Sequence, residues 1–263
     1  MLQFLPHLPW HNPELARVLQ LRIKEEAMRL MLGVFVLLAV CAMLVAGSQP
    51  VSAQDAVTAD GSHHKVEFEN DQVRVVRYHI DPNDTTALHS HPAGVQIMLS
   101  DHNGRITTPD GKTTEAHGKA GTVVWRNPLT HTVQNIGDKS IDGILVEPKN
   151  KGTSAPVTEA QDPVKVDAQH EKLEFENDQV RVIRFRFGPH EKSPMHEHPN
   201  NVQVLLTDAN GKLTTSDGKT TQTQGKAGEA HWRPATTHIA ENVGDQPFEG
   251  ILVEIKGASP AAK

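Results

Sequence analysis

The sequence predicts an all-β protein made of two tandem jelly-roll barrels that follow an N-terminal signal segment. Three observations support this prediction: an internal duplication, short apolar runs separated by turn residues, and a histidine pair at the same place in both copies. The 263 residues suit two domains of about a hundred residues each, which is a common domain size. No segment after the signal shows a sustained helical period.

The duplication is the strongest of these observations. Residues 64–149 and 171–256 align without a gap, and about half of the positions are identical. The segment 68–75 recurs at 175–182, and the segment 143–147 recurs at 250–254. An internal repeat of this length indicates two copies of one structural unit. The predicted organisation is listed here: extension and signal peptide 1–53, first domain 62–149, linker 150–168, second domain 169–256 and tail 257–263.

Strands and turns alternate within each copy. Runs of four to eight apolar or β-branched residues predict strands, and in the first copy they lie at 73–80, 95–99, 105–108, 122–125, 131–135 and 141–146. Asn103-Gly104 and Asp110-Gly111, with their equivalents at 210–211 and 217–218, predict tight hairpin turns that require positive φ. A barrel or jelly roll of such strands leaves a mouth that can take a ligand.

The N-terminal segment predicts export. An apolar run at 30–46 follows Arg29, and Val51 and Ala53 fit the small-residue rule for cleavage after Ala53. We therefore expect a secretory signal peptide and a periplasmic or extracellular protein. The run is short for a spanning helix, so an uncleaved membrane anchor is the less favoured alternative and the only expected membrane contact. Cys41 lies within this segment, so the mature chain has no thiolate to offer a metal.

Charge and motif content exclude several functions. The net charge is −6 and no segment is strongly basic, so nucleic acid is not an expected partner. The sequence shows no catalytic carboxylate pair, no Ser-His-Asp pattern and no phosphate-binding loop. Any catalysis is therefore expected to depend on a metal.

A histidine constellation occurs once in each copy. Two histidines stand one residue apart, followed five residues later by a glutamine and forty residues later by a third histidine. On a strand, positions i and i+2 face the same side about 6.5–7 Å apart, so both imidazoles can bind one ion. Neutral imidazole is the commonest protein ligand for transition metals. The predicted ligand sets, for up to two divalent ions per chain, are His89, His91, Gln96 and His131 in the first copy and His196, His198, Gln203 and His238 in the second.

These residues give each copy a resemblance to the cupin family, and the whole chain resembles a small secreted bicupin. In cupins, an H-x-H motif is followed by an acidic residue, and a second motif supplies a further histidine and an asparagine four residues later. Asn135 and Asn242 match that asparagine. Gln96 and Gln203 depart from the family glutamate, and the second motif is one residue shorter, with Pro234 four residues before His238. The resemblance implies Fe, Mn, Zn, Ni or Cu as the metal and leaves the reaction open.

The roles of the remaining polar residues follow from their positions. Gln96 and Gln203 are expected either to ligate the metal or to bond a group held on it. Trp125 and Trp232 are expected to pack against the core, whereas the arginines that follow them face the opposite side of the strand. Four further arginines are expected in surface ion pairs: Arg74, Arg77, Arg181 and Arg184.

Two other histidines stand at positions where the copies differ. His64 has no histidine counterpart in the second copy, and we predict no functional role for it. His231 precedes His238 by seven residues on a neighbouring strand, so it is a candidate for the site although its counterpart is Val124.

Two function classes remain. The first is metal-dependent chemistry, dioxygenase-like or of the isomerase or lyase type, on a small, oxygen-rich and anionic substrate. Neutral ligands would leave the charge of the ion uncompensated, which favours such a substrate. The alternative is a non-enzymatic module of the cell envelope that binds a small molecule or a metal.

Overall fold

The computed structural model describes residues 54–149 and 157–257, together with isolated helical positions between residues 14 and 31. The predicted cleavage point, Cys41 and the apolar run apart from Met31 lie outside the described residues, as do residues 150–156 and 258–263. None of the described helices is long and apolar enough to cross a membrane. The chain divides into two compact units, residues 1–52 and residues 53–263, and both copies of the repeat lie in the second.

Each copy forms one half of this unit, and strands dominate both halves. The first half contains β1 (Gln54–Asp55), α1 (Ala56–Ala59), β2 (His64–Glu69), β3 (Val73–Ile80), β4 (His89–His91), β5 (Gly94–Met98), β6 (His102–Thr107), β7 (Thr113–Gly118), β8 (Val123–Arg126), β9 (Leu129–Asn135) and β10 (Ile141–Pro148). The second half contains α2 (Pro163–Val166), β11 (Glu171–Glu176), β12 (Val180–Phe187), β13 (His196–His198), β14 (Asn201–Leu205), β15 (Ala209–Thr215), β16 (Thr220–Gly225), β17 (Ala230–Arg233), β18 (Thr236–Asn242) and β19 (Phe248–Ile255).

The strands of each half form two sheets. One sheet has the order β2-β3-β10-β5-β8 in the first half and β11-β12-β19-β14-β17 in the second. We call it the core sheet. The other has the order β1-β4-β9-β6-β7 and β13-β18-β15-β16, and we call it the histidine sheet. The all-β jelly-roll prediction is confirmed, but the two sheets of a half do not close into a barrel among the described residues.

Both faces of the core sheet are apolar. On β3, Val73 and Val75 point to one face, whereas Val76, Tyr78 and Ile80 point to the other, and all five are buried. The second set faces the histidine sheet of the same half and lines a pocket there, or packs beside it. The first set faces away from that pocket, so it must be covered by something else.

The other half provides this cover. Valines and isoleucines from both core sheets form a single cluster of buried side chains, so the two sheets pack face to face. Two equivalent hydrogen bonds cross the interface: Arg77 Nη2 donates to the Gly228 carbonyl and Arg184 Nη2 donates to the Gly121 carbonyl, both at 2.6 Å. The ion pairs predicted for these two arginines are present, with Glu67 and Glu174, and each arginine in addition crosses the interface.

A β-bulge in β2 serves both faces of the core sheet. His64 and Val66 lie opposite Tyr78 and Val76, and the register then shifts so that Phe68 lies opposite Val75. The extra residue reverses which side chains face the pocket. Phe68 consequently packs against the shared core, while His64 is buried on the pocket side. β11 contains the same shift between Leu173 and Phe175.

The repeat begins earlier than the sequence alignment indicates. Helix α2 lies inside the predicted linker 150–168 and corresponds to α1 in the first half. Asp55 and Asp162 cap these helices by accepting hydrogen bonds from Val57 N and Val164 N. The described part of the predicted linker, from residue 157, is therefore ordered as part of the second half.

Two of the four predicted hairpin turns are present. Gly111 and Gly218 have φ of +80° and +81° between paired strands, as an Asp-Gly turn requires. Asn103-Gly104 and Asn210-Gly211 instead lie within β6 and β15. There the glycines pair with a neighbouring strand on each side, so they are strand residues and not turns.

Candidate metal centres

In the first half, three of the predicted ligands lie together on the histidine sheet. His89 on β4 is directly opposite His131 on β9, and His91 is two residues farther along β4. The ring centre of His131 is 4.7 Å from that of His89 and 5.5 Å from that of His91. His89 Nε2 and His91 Nε2 are only 3.0 Å apart. Two ring nitrogens that face each other this closely suit a cation between them.

The second half repeats the arrangement. His196 on β13 is opposite His238 on β18, and the ligand atoms of these two residues and His198 all lie within 4.8 Å of one another. His196 and His238 are buried, and so is His198. The two histidine clusters can each hold a metal ion.

Backbone carbonyls set the ring orientation of the first histidine in each pair. His89 Nδ1 donates to the Ala87 carbonyl at 2.7 Å, and His196 Nδ1 donates to the Pro194 carbonyl at 2.9 Å. With the proton on Nδ1, the Nε2 lone pair is free and points into the cluster. This arrangement is the usual support of a metal-binding histidine.

A buried glutamate lies beside the second histidine of each pair. His198 Nδ1 is 2.8 Å from Glu254 Oε1, and Arg181 Nη1 is 3.6 Å from the other oxygen of that carboxylate. In the first half Glu147 is 3.6 Å from His91 Nδ1, which is beyond hydrogen-bond distance and leaves that nitrogen without a partner. Both glutamates end the repeated segment Gly-Ile-Leu-Val-Glu. A charged residue in an otherwise apolar strand is the sequence signal that could have identified them.

Arginines stabilise those buried carboxylates in turn. Arg74 contacts Glu147 at 3.5 Å and also pairs with Asp55, while Arg181 Nη2 donates to Asp162 at 2.6 Å. Arg74 and Arg181 were predicted in surface ion pairs, but they hold the outer support of the histidine clusters. A buried glutamate requires such a partner, because an unpaired charge away from water is costly.

The first residue of β2, and of β11 in the second half, places a further side chain beside each cluster. His64 on β2 has a ring nitrogen within 4.8 Å of the ligand atoms of His89 and His91. Glu171 occupies the equivalent place on β11, with Oε1 3.6 Å from His196 Nε2 and 3.4 Å from His198 Nε2. Both side chains are buried. The structure therefore places His64 in the cluster, a position that the sequence did not predict.

The glutamines predicted as ligands have other partners in the structure. Gln96 Oε1 accepts a hydrogen bond from Arg126 Nε at 2.7 Å, and its amide nitrogen donates to the Tyr78 hydroxyl at 2.7 Å. Gln203 Oε1 accepts from Arg233 at 3.1 and 2.9 Å. These contacts use the oxygen that would ligate a metal, and they favour a role in holding the arginine.

The asparagines of the second motif are structural. Asn135 Nδ2 donates to the carbonyls of Ile80 and Lys139, and its Oδ1 accepts from Gly137 N. Asn242 makes the matching bonds in the second half. Each asparagine is fully engaged in closing a turn at the end of the strand that carries the last histidine, and so it fixes the position of that strand.

The protonation states of the two clusters differ. Burial, together with the neighbouring histidines, lowers the pKa of His131 to about 3 and that of His64 to about 4. Burial likewise lowers the pKa of His238 to about 3. Burial also disfavours charge on His198, but Glu171 and Glu254 outweigh it and raise its pKa to about 10. His131 and His64 are therefore neutral at pH 7, whereas His198 in the second cluster is an imidazolium between carboxylates.

The donor set fits a transition metal. Among buried side-chain atoms without a hydrogen-bond partner are His196 Nε2 and Glu171 Oε2, as well as Nδ1 of His91, His131 and His238. Buried polar atoms nearly always have a partner, and a cation in the cluster would supply one for the atoms that face it. Imidazole nitrogens with a carboxylate oxygen suit Fe, Mn, Zn, Ni or Cu.

A pocket opens beside each cluster. The first has a volume of about 120 Å³ and includes Tyr78, Met98 and Arg126 in its lining. The second has a volume of about 390 Å³ and includes Arg233 and His231, the candidate histidine of the sequence analysis. His231 Nε2 is 3.2 Å from Glu229, at the wall of the pocket and outside the ligand cluster.

The tryptophans lie on the other side of the same strands. Trp125 and Trp232 pack against the shared core, as predicted from strand alternation. Each strand therefore presents a tryptophan to the interface and an arginine to the pocket.

Comparison with known proteins gives a structural likeness only. No family model and no curated protein match the sequence. A cupin domain from Bordetella pertussis Tohama I is 28% identical, covering 33% of this chain and 92% of that one, with a TM-score of 0.31. AerE from Microcystis aeruginosa is 14% identical, covering 74% and 93%, with a TM-score of 0.50. Oxalate decarboxylase from Lactobacillus farciminis is 13% identical, covering 81% and 88%, with a TM-score of 0.48. The chain has the cupin fold in two tandem copies.

Proposed function

We propose that the chain is a metal-dependent enzyme that acts on a small, oxygen-rich, anionic substrate. The observation that carries this proposal is an arginine in each pocket beside the histidine cluster, oriented by a glutamine. Arg126 is held by Gln96, and Arg233 is held by Gln203 through two hydrogen bonds.

The guanidinium supplies charge and geometry for an anion. Arginine presents several N–H donors in one plane and binds a carboxylate in a bidentate way. Gln203 accepts from only two of the Arg233 donors, so further donors remain for a ligand. In a pocket lined largely by apolar side chains, such a contact is stronger than it would be in water. The substrate would then lie between the arginine and the metal cluster.

A metal in the cluster would act as a Lewis acid toward an oxygen of that substrate. The protein residues orient and enclose the substrate. Arg126 and Arg233 bind the anionic group, and the apolar residues Ile80, Met98 and Ile106 limit the first pocket to a small molecule. These features suit a dioxygenase-like reaction or an isomerase or lyase step on a hydroxy or keto acid.

We also propose that the enzyme is exported and acts in the periplasm or outside the cell. The support is the apolar run 30–46 with a small-residue cleavage pattern at Val51 and Ala53. Expression of the full chain, followed by fractionation and N-terminal sequencing, tests this proposal. A product that starts at residue 54 outside the cytoplasm supports it, and a cytoplasmic product with an intact N-terminus contradicts it.

The activity test uses protein loaded separately with Fe(II), Mn(II), Zn(II), Ni(II) or Cu(II). Oxygen uptake and substrate loss are followed with a panel of hydroxy acids, keto acids, oxalate, diketones and flavonols. Turnover should vanish in the His91→Ala/His198→Ala double variant. In Arg126→Gln/Arg233→Gln, KM for the anionic substrate should rise at least tenfold while metal content stays unchanged.

Arg105→Gln is the matched control, because Arg105 pairs with Glu115 and is not among the residues that line the pockets. Turnover in that variant should equal the wild type. Thermal shifts by small anions without turnover in any metal form would instead identify a non-enzymatic binding module. Equal KM values in the wild type and the arginine double variant would contradict the assigned role of the guanidinium.

A further inference from the structure

We infer that the two centres differ in their fourth ligand, and therefore in the metal that each prefers. His64 completes a centre of four histidines in the first half, and Glu171 completes a centre of three histidines and one carboxylate in the second. This inference rests on metal binding by the clusters, as in the proposed function, but not on any reaction or substrate.

The two residues occupy the same structural position. His64 pairs with Tyr78 at the start of β2, and Glu171 pairs with Phe185 at the start of β11. Tyr78 and Phe185 are buried on the pocket side of the core sheet, and the side chain opposite each of them faces the same way. Both residues precede the bulge, so their side chains extend from the core sheet toward the cluster. The other ligands lie on the histidine sheet that faces it.

The geometry of each residue suits ligation. The ring centre of His64 is 4.5 Å from that of His89 and 5.6 Å from that of His91. Its Nδ1 faces the Asp60 carbonyl at 3.4 Å, which leaves Nε2 for the cluster. Glu171 Oε1 faces Nε2 of both His196 and His198 at 3.6 and 3.4 Å. The outer hydrogen bonds occupy Nδ1 of both rings, so Nε2 is the atom that faces the cluster, and on His198 it would give up its proton to a metal.

The burial of Glu171 strengthens the assignment. Its side chain is 3% exposed, and Glu171 Oε2 is buried without a hydrogen-bond partner. Its ion-pair contacts in the described structure are to His196 and His198, which are themselves metal-ligand candidates. A carboxylate in such a place needs a positive partner, because an uncompensated buried charge is costly. The His198 imidazolium fills that role without a metal, and a bound metal ion would fill it once that ring has released its proton to ligate.

The ligand sets differ in charge and in chemical preference. Four neutral imidazoles contribute no charge to the first centre, whereas the second centre carries one negative ligand. Imidazole suits Zn, Cu, Fe and Ni, while carboxylate oxygen suits Mn. The second centre should therefore bind Mn(II) much more tightly than the first, while Zn(II) should occupy both.

Metal titration of the purified, metal-free full chain tests this inference. Free Mn(II) is measured by electron paramagnetic resonance, and bound Zn(II) is measured by elemental analysis after desalting. The wild type should bind one Mn(II) tightly and two Zn(II) per chain. Glu171→Gln should weaken the tight Mn(II) site at least tenfold and leave two Zn(II) bound. His64→Glu should add a second tight Mn(II) site.

Controls separate this inference from metal binding itself. Glu176→Gln changes a glutamate on the same strand that pairs with Lys256 at the surface, and its Mn(II) binding should match the wild type. If His196→Ala/His198→Ala retains both metals, binding at the second cluster is refuted, and the fourth-ligand assignment fails with it. If that variant loses metal at the second centre but Glu171→Gln binds Mn(II) as tightly as the wild type, only the fourth-ligand assignment fails. The gain expected in His64→Glu tests the assignment even if Glu171→Gln folds poorly.

Discussion

The shared core predicts that the two halves unfold as one cooperative unit. Ile144 and Ile251 hold equivalent positions in the two core sheets, and both are fully buried in the common cluster. Replacing Ile251 by alanine removes three carbon groups, at about 0.8 kcal/mol each for lost burial. With the cavity that remains, the total is about 3–4 kcal/mol. Ile144→Ala should cost a similar amount, because it meets the same interface from the other side.

Urea unfolding followed by circular dichroism and tryptophan fluorescence measures this effect. Trp125 and Trp232 both pack against the shared core, so both should report the same event. At a slope of about 2 kcal/mol per M, each variant should move one common transition down by about 1.5–2 M. Leu173→Ala is the control, because Leu173 is 45% exposed and its loss should change stability by less than about 0.5 kcal/mol. Two resolved transitions, of which each variant moves only one, would refute the shared core.

Three further predictions concern the support of the two centres. Asn135→Ala removes the donor for two turn carbonyls and should cost about 1–3 kcal/mol in the free energy of unfolding, measured in urea. Glu254→Gln removes the carboxylate that orients His198 and should weaken metal binding about 10–100-fold in a chelator competition assay. Burial opposes ionisation of Asp60, but hydrogen bonds from His63, Ser62 and Ala87 outweigh it and lower its pKa. Its stabilising effect is therefore present above the unfolded value of about 3.9 and lost as the pH falls through the lowered folded value. Asp60→Asn should be less stable than the wild type at pH 7, and the difference should shrink below about pH 4 in unfolding experiments at each pH.

Much of the fold could be predicted from the sequence, because the strand and turn patterns occur in both copies of the duplication. The predicted strand at 73–80 matches β3, and the other predicted strands lie within a few residues of the observed bounds. Four strands of the first half are absent from the predicted runs: the two short strands β1 and β4, and the longer strands β2 and β7. β2 carries a bulge that breaks its alternation, and β7 is largely exposed and lacks apolar residues that would mark a buried face.

The apolar pattern of the strands indicates in the sequence that the two halves pack together. A strand with one face in water alternates between apolar and polar residues, whereas β10 and β19 contain a continuous apolar run that is buried on both faces, Ile144–Val146 and its equivalent. Such runs are typical of sheets that are covered on both sides. The lack of alternation indicates that both faces are covered, and within the described residues the other half supplies the second cover.

The fourth ligands could not be predicted from spacing. A metal motif is recognised when ligands recur at fixed separations, but His64 and Glu171 differ in type and precede the H-x-H pair by about 25 residues on another sheet. Only the register of β2 with β3, set by the bulge, places position 64 opposite Tyr78 and inside the pocket. The two glutamines stand at a spacing that is typical of metal ligands. In the structure, however, a neighbouring arginine donates to the side-chain oxygen of each.

The residues that differ between the two copies indicate where the two centres are free to diverge. The face-to-face packing is reciprocal, since Arg77 contacts Gly228 and the equivalent Arg184 contacts Gly121, as in an isologous dimer. A change on that surface would have to be accommodated from both sides. Val75 and Val182, or Ile144 and Ile251, are accordingly identical, and the core positions that differ keep apolar residues, as Ile97 and Val204 do. The pocket faces no such constraint, because each pocket is enclosed by its own half. Position 64 can therefore be histidine where position 171 is glutamate, and Val124 can correspond to His231, without any loss to the common core. Divergence at these pocket positions is what two centres with separate metals or substrates would require.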